Sequence, residues 1–229
     1  MKIDCFNGGF KETLDSDVIR EILFFYDGLC KVYFCNGTVK ELNTVCDGYN
    51  SQFGVPISPD GKILFVSSWE TGLHAYNIDS GKELWHFKST RIKAVYAYDT
   101  YLIAIRYCKA VIKLDIADGT KIGEMTSGTI EHSFSVTGPF VLIDTYRGKL
   151  SVIDTASLSV FKQYPSKTVN PLNAISFMIR ETYLKRNRLT ICGLEGPRPF
   201  NRVIDPKFLP NEPRSLLSKI FHRTAKQVR

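Results

Sequence analysis

The chain has 229 residues, of which 44% are hydrophobic and 12% aromatic, and it carries a formal net charge of +7. This composition is typical of a folded domain and excludes a disordered chain as the default. No apolar run approaches the roughly 20 residues needed to cross a bilayer, and residues 1–17 lack the apolar segment of a secretory signal. We therefore expect a soluble cytoplasmic protein.

The positive charge is concentrated near the C-terminus. Residues 166–229 hold 13 lysines and arginines against 4 acidic residues, whereas the preceding 165 residues hold 17 against 19. Most of the chain is thus nearly neutral, and any attraction to anionic partners belongs to its last quarter. The six cysteines show no Cys-x-x-Cys spacing, and several lie in apolar strand patterns, which favours reduced thiols.

Residues 18–49 have the pattern of a small antiparallel sheet. Short runs rich in β-branched and aromatic residues occur at Ile22–Tyr26, Lys31–Cys35 and Val39–Val45, with Asn36-Gly37 as a turn. The order of strand, strand, turn and strand predicts a first unit of a repeated sheet.

Residues 50–90 contain the clearest copy of this unit. Two strands are predicted at Lys62–Ser67 and Leu73–Ile78, bounded by the turns Asp60-Gly61 and Ser80-Gly81. Glu83–Phe87 supplies another strand and Gly54–Ile57 a first one. About four strands in about forty residues are expected for one blade of a β-propeller.

The same unit returns twice along the chain. The segment Ala75–Lys82 recurs at Ile112–Thr120, which lies 38 residues further on when Gly81 is placed over Gly119. A third copy at Leu150–Leu158 puts Asp154 39 residues after Asp115. These copies predict blades at 91–129 and 130–166, and each sheet needs a neighbour on both sides to bury its faces.

Two motifs resemble known propeller repeats. Ser58–Lys62 (SPDGK) looks like the turn of YVTN and WD-type propellers, and Ala75–Trp85 (AYNIDSGKELW) is similar to the quinoprotein-type repeat A-x-D-x-x-T-G-K-x-x-W. The chain departs from that repeat at Asn77, where the repeat has Asp, and only one copy keeps the Trp. The resemblance covers roughly residues 18–165. It implies an all-β propeller of four-stranded antiparallel blades, about five in number.

The region after Pro165 predicts an incomplete fifth blade followed by a tail. Leu172–Glu181 and Asn187–Cys192 have strand patterns, but the prolines that follow are unsuited to central strands. We expect this blade to be partial or to be closed by residues 1–17, since the N-terminal strand often completes the last blade of a propeller. The propeller-like domain then spans 1–205, and 206–229 form a basic tail whose end is a short amphipathic helix.

The sequence offers no recognisable catalytic machinery. It contains no GxSxG, P-loop, GxGxxG or HExxH motif, and its four histidines show no metal-ligand spacing. We interpret His74 and His86 as structural, and Asp60, Asp79 and Asp118 as turn residues whose carboxylates bind backbone amides. Resemblance to quinoprotein enzymes would imply export and adjacent cysteines at the cofactor. This sequence shows neither an adjacent pair of cysteines nor an export signal. We therefore expect a protein that is not an enzyme and holds neither cofactor nor metal.

These features favour a binding platform that acts on another protein. The predicted contact residues lie in turns that correspond between blades: Trp69, Glu70, Tyr107, Lys109, Tyr146 and Arg147. One specific hypothesis is a dedicated cytoplasmic inhibitor, such as an immunity protein that neutralises a bacterial toxin.

The alternative is a protein that binds nucleic acid or an anionic membrane through its basic C-terminal region. Its anion-binding residues would be Lys185, Arg186, Arg188, Lys219 and Arg223. The competing interpretation of these residues is a solvated loop and tail.

Overall fold

The structure is a computed structural model, and it describes residues 2–6, 9–14, 17–45, 53–107, 110–126, 130–145, 149–165, 177–185, 188–195 and 198–204. The described residues contain twenty β-strands and no helix, so no helix among them could span a membrane. The strands are β1 Lys2–Phe6, β2 Gly9–Thr13, β3 Ile19–Phe25, β4 Leu29–Phe34, β5 Val39–Asn43, β6 Phe53–Val55, β7 Ile63–Ser68, β8 Gly72–Asn77, β9 Glu83–Lys88, β10 Ile92–Ala97, β11 Tyr101–Arg106, β12 Ala110–Asp115, β13 Lys121–Thr126, β14 Ile130–Thr137, β15 Phe140–Thr145, β16 Lys149–Asp154, β17 Ser159–Pro165, β18 Phe177–Lys185, β19 Arg188–Glu195 and β20 Arg198–Ile204.

These strands form five sheets, numbered here in chain order. Sheet I has the order β1-β2-β3-β4-β5, sheet II β7-β8-β9, sheet III β13-β12-β11-β10-β6, sheet IV β14-β15-β16-β17 and sheet V β18-β19-β20. Apart from β6, each strand is followed along the chain by its neighbour in the same sheet or by the first strand of the next sheet. This succession of small meanders is the arrangement expected of propeller blades.

The chain divides into two compact units. One includes the described residues up to 106 together with 114–122, and the other includes 107–113 and the described residues from 123 to 204. The division passes through β12 of sheet III.

Burial within the sheets follows the pattern of stacked blades. Middle strands are covered on both faces, as the continuous burial of residues 72–76 in β8 and 102–105 in β11 shows. Outer strands are mostly exposed or half-buried; Leu84 in β9 and Ile122 in β13 are 48% and 55% exposed. A strand that is apolar on both faces requires material above and below it, which neighbouring sheets supply.

Each compact unit has a hydrophobic cluster of its own. In the first unit, Phe24 and Val32 of sheet I pack in one cluster with Leu64 and Val66 of sheet II. In the second unit, side chains of sheet IV such as Phe140 share a cluster with Leu189 of sheet V. Sheets I and II, and likewise sheets IV and V, therefore bury apolar side chains against each other.

In all three copies, the repeated turn contains the same kind of hydrogen bond between a side-chain oxygen and a backbone N–H group. The side-chain oxygens of Asn77, Asp115 and Asp154 accept hydrogen bonds from the backbone N–H groups of Ser80, Ala117 and Ser157 at 2.7–2.8 Å. An amide oxygen accepts such a bond as a carboxylate does, so the departure from the quinoprotein-type repeat at Asn77 leaves the turn intact.

The interpretation of the turn aspartates is confirmed at two positions. Asp60 accepts a hydrogen bond from the N–H of Lys62, and Asp118 accepts one from Thr120. Asp79 instead lies 3.7 Å from the ammonium of Lys40.

Two strand predictions differ from the structure at the start of sheet II and at the N-terminus. Gly54–Ile57 was expected to be the first strand of that blade, but β6 pairs in parallel with β10 in sheet III. Pro56 has no N–H to donate, so the chain beside β7 forms only an isolated bridge from Ile57 to Leu64. Residues 1–17 were expected, as one alternative, to close the last blade, but the N-terminal strand β2 pairs with β3 instead, so that β1 and β2 extend sheet I to five strands.

The last sheet is partial, as expected for the fifth blade. It has three strands within the part of the chain that the structure describes, and Pro199 lies in the edge strand β20. An edge position tolerates proline because one side of the strand makes no ladder bonds. The predicted amphipathic helix lies outside the described residues.

Candidate functional site

The turn between β7 and β8, residues 69–71, is fixed by hydrogen bonds from several directions. The hydroxyl of Ser68 accepts bonds from the N–H groups of Glu70 and Thr71 at 3.3 and 3.1 Å. The carbonyl of Trp69 accepts the N–H of Arg91 at 2.7 Å, and that of Thr71 accepts Nε2 of His86 at 2.8 Å. The turn is thereby tied to both β9 and the β9–β10 connection.

Gly72 lets this turn lie close to the end of β9. Its φ angle is +120°, and a Cβ atom at this position would lie 2.2 Å from the carbonyl oxygen of Phe87. No rotation of a side chain could relieve a clash with backbone, so the close approach requires glycine.

Trp69 and Arg91 form a pair at this end of sheet II. The guanidinium carbon of Arg91 lies 6.0 Å from the centre of the Trp69 ring, at the limit of a cation–π contact. Arg91 is exposed and has a φ angle of +65°, which is rare for a residue other than glycine. Trp69 is half-buried and Glu70 is exposed. The pair therefore presents an aromatic ring and a positive charge on a backbone that hydrogen bonds hold in one conformation.

Of the predicted contact residues, the structure describes three. Trp69 and Glu70 occupy the β7–β8 turn, and Tyr107 follows β11 at the corresponding β11–β12 connection, where it is half-buried. The remaining three lie outside the described residues: Lys109, Tyr146 and Arg147.

The predicted anion-binding residues are described only in part. Lys185 ends β18 and Arg188 begins β19, and these two residues are paired across the hairpin. Arg186, Lys219 and Arg223 lie outside the described residues.

A second group of polar residues lies in sheet II and was not anticipated as a group. His74 of β8 and His86 of β9 are direct cross-strand partners, and their rings stack with centroids 3.9 Å apart at an interplanar angle of 14°. Glu83 lies near them, with its Oε1 atom 3.5 Å from Nδ1 of His74. One ligand atom from each of the three residues lies within 4.8 Å of the others. We call this group the histidine cluster.

The environment of the histidine cluster changes its proton affinities. Burial and the neighbouring His86 lower the pKa of His74, although Glu83 opposes the shift. Burial, together with the charge of Glu83, raises the pKa of Tyr76 to about 12, and the Tyr76 and His74 rings are stacked 6.4 Å apart. The imidazole of His74 and the phenol of Tyr76 are therefore mostly neutral at pH 7.

The spacing rules for metal-binding residues do not detect this cluster in the sequence. His74 and His86 are twelve positions apart. They meet because the intervening turn and a register shift between Ala75 and Tyr76 place them opposite each other. Cross-strand neighbours follow from the register, which a list of metal-binding spacings does not contain.

The arrangement of sheets defines the class of protein, and solved structures confirm it. Neither a protein-family model nor a curated protein matches the sequence. Among solved structures, 978 chains match, so the fold alone does not select a function.

The matching structures are β-propellers of different origins. The β-propeller domain of Cps50 (Swd1) from Myceliophteria thermophila matches with a TM-score of 0.59 and 11% identity over 84% of this chain and 64% of that one. BamB from Moraxella catarrhalis matches with a TM-score of 0.57 and 15% identity over 83% and 65% of the two chains. The computationally designed Ika8 protein matches with a TM-score of 0.60 and 15% identity over 82% and 56%.

The chain is a β-propeller repeat protein similar to the WD-type and quinoprotein-like groups. It spans between 56% and 65% of the length of these three structures.

Proposed function

We propose that this protein is a non-enzymatic, cytoplasmic β-propeller that binds another protein through turns that correspond between its blades. The observation that carries the proposal is the fixed β7–β8 turn with its Trp69–Arg91 pair. Trp and Arg are enriched among residues that dominate protein–protein binding energies, and a turn that is already ordered loses little entropy on binding.

The β11–β12 connection supports the proposal by placing a second aromatic residue at the equivalent point of the next unit of the repeat. Tyr107 follows β11 as Trp69 follows β7. Tyrosine suits interfaces because its ring contributes contact area while its hydroxyl remains hydrogen-bonded. A repeat protein can thus vary one turn per blade while the sheets stay unchanged.

Affinity capture from the native cell extract tests the proposal. The full-length protein and a version that ends at Pro213 would be compared, each after nuclease treatment and each at low and high salt. One protein recovered in stoichiometric amount under all conditions, and co-eluting with the purified protein in gel filtration, is the expected result. Loss of all captured protein after nuclease treatment would contradict it.

The more specific form of the proposal is a dedicated inhibitor, such as an immunity protein that neutralises a bacterial toxin. It is supported by the small size, the lack of catalytic sequence motifs and the fixed turn. Expression of the captured partner alone should arrest growth, and co-expression with this protein should restore it. A partner that is harmless when expressed alone would contradict the inhibitor hypothesis and leave the binding function in place.

A second proposal has its own observation, the excess of 13 basic over 4 acidic residues in 166–229. Here the protein would bind nucleic acid or an anionic membrane through this region. Recovery of RNA, DNA or lipid that is lost at high salt and lost with the version ending at Pro213 would support it. Recovery that is independent of both would exclude it.

A further inference from the structure

We propose that His74, His86 and Glu83 form a binding site for a divalent transition-metal ion, with Zn²⁺ as the ion that best suits the ligands. Two imidazole nitrogens and one carboxylate oxygen are a common zinc ligand set, and a water molecule would supply the fourth position. The proposal does not depend on the protein-binding function.

The hydrogen bonds to Thr71 determine which ring nitrogens are available. Nε2 of His86 lies 2.8 Å from the backbone carbonyl of Thr71. A carbonyl can only accept, so this nitrogen carries the hydrogen and Nδ1 of His86 keeps its lone pair. Nε2 of His74 lies 2.9 Å from the hydroxyl of Thr71, which can accept or donate, and the hydroxyl accepts in the tautomer that carries the hydrogen on Nε2. Both rings are then oriented through one nitrogen and leave the other for a ligand, as metal-binding histidines usually are.

Nδ1 of His74 is the atom that most needs a partner. It is buried and makes no hydrogen bond, while the His74 residue is only 4% exposed. Oε1 of Glu83 lies 3.5 Å from this nitrogen, which is too long for a good hydrogen bond. In the tautomer that carries its hydrogen on Nε2, this nitrogen faces a carboxylate oxygen with no proton between them, and a cation between them would satisfy both.

The distance between these two atoms also fits a metal ion. Zinc bonds of about 2.0–2.1 Å at a tetrahedral angle separate two ligand atoms by about 3.3 Å. The observed 3.5 Å between Nδ1 of His74 and Oε1 of Glu83 is close to this value. His86 completes the group within 4.8 Å. Because its ring is stacked on that of His74, the His86 ring would turn out of the stack to direct a nitrogen lone pair at the ion.

The site is reachable from solvent on one side. His74 is buried, His86 is half-buried, and the Glu83 side chain is 42% exposed on the outer strand β9. An ion can therefore enter past Glu83 and reach the deepest ligand without separating the sheets. Because the Glu83 side chain is partly exposed, its replacement should have little effect on folding.

Zinc titration of the full-length protein by calorimetry, repeated with Glu83→Gln and His86→Gln, tests the proposal. Glutamine at position 86 keeps an N–H donor for the Thr71 carbonyl, so it removes the ligand more than the orientation. The matched control is Glu124→Gln, because Glu124 is an exposed carboxylate on the outer strand β13. We expect one Zn²⁺ per chain in the wild type and the control, and at least about tenfold weaker binding in both cluster variants.

Cobalt absorption provides a second readout that separates this site from the cysteines. Co²⁺ held by nitrogen and oxygen ligands shows visible bands without the near-ultraviolet absorption of a thiolate complex. We expect those bands in the wild type and their loss with Glu83→Gln. Either no saturable Zn²⁺ binding, or binding that is unchanged in both cluster variants, would overturn the proposal. So would a thiolate-type Co²⁺ spectrum that Glu83→Gln leaves unchanged.

Discussion

At the scale of the residue, Gly119 shows how a side chain from one sheet constrains the turn of the next. Its φ angle is +73°, and a Cβ atom added there would lie 2.5 Å from the ring of Trp85. The indole of Trp85 also donates a hydrogen bond of 3.2 Å to the carbonyl of Ile116 in the same turn. Trp85, which alone keeps the Trp of the quinoprotein-type repeat, therefore packs against the β12–β13 turn and restricts it.

We predict that Gly119→Ala destabilises the protein more than Gly81→Ala does. Both glycines have nearly the same positive φ angle, but a Cβ at Gly81 would meet nothing within 4 Å. Gly81→Ala should lower the free energy of unfolding by about 1–2 kcal/mol through backbone strain alone. Gly119→Ala should cost about 1–3 kcal/mol more, because the Trp85 ring must move. Urea unfolding measures both values, and equal losses would contradict the role of Trp85.

Asp118 gives a prediction for the dependence of stability on pH. The hydrogen bond from the backbone N–H of Thr120 lowers the pKa of the Asp118 carboxyl. Between the folded and unfolded pKa values, the unfolded chain binds more protons at this carboxyl than the folded chain does. The stabilisation by the ionised Asp118 is therefore fully present above the unfolded pKa. It is lost as the pH falls through the folded pKa.

The comparison of wild type with Asp118→Asn measures this contribution, since asparagine keeps an oxygen acceptor but cannot ionise. The wild type should have the higher urea midpoint at pH 7, and the difference should close as the pH falls below about 4, the range of free aspartate. A difference that is the same at both pH values would show that ionisation of Asp118 contributes nothing.

At the scale of the element, position within a sheet decides how much a strand residue contributes. Ile103 in the middle strand β11 is completely buried, whereas Ile122 in the outer strand β13 of the same sheet is 55% exposed. The two positions have the same residue type, so they separate burial from composition.

We predict that Ile103→Ala lowers the free energy of unfolding by about 2–5 kcal/mol. Ile122→Ala should change it by about 0.5 kcal/mol or less, because its side chain already meets solvent. Chemical unfolding of the two variants checks the comparison. Similar losses for both would contradict the assignment of β13 as an outer strand.

The sequence predicts elements well where turn chemistry marks them. The turns Asp60-Gly61 and Ser80-Gly81 bound β7 and β8, and both glycines have positive φ angles in the structure. Leu158 shows where this signal weakens. It takes the place of Gly81 and Gly119 in the third copy of the repeat and still has a φ angle of +53°.

Pairing between segments is harder to derive from sequence. Phe53–Val55 has a strand pattern, but whether it joins sheet II or sheet III depends on contacts that no local pattern encodes. The histidine cluster was missed for the same reason, because cross-strand neighbours depend on a register shift. The β7–β8 and β11–β12 turns, in which contact residues are predicted, could be located from sequence because each follows the same strand of a repeated unit.

At the scale of the whole molecule, the succession of small sheets is what makes a binding function plausible. Sheets I and II share one apolar cluster and sheets IV and V share another, and residues 69–71 belong to neither cluster. The outward-facing side chains of this turn can therefore differ in sequence without loss of the fold. Our central claim is that the turn at 69–71 uses this freedom to bind another protein.

The most direct measurement is quantitative affinity capture from native extract with the wild type, the double variant Trp69→Ala/Glu70→Lys and the control Arg20→Ala. Arg20 is an exposed arginine over the ring of Tyr33, so the control removes a similar cation–π pair from a strand of sheet I. The account predicts one partner captured equally by the wild type and the control and reduced at least about tenfold by the double variant. Equal capture of that partner by all three proteins, with the double variant shown to be folded, would contradict it.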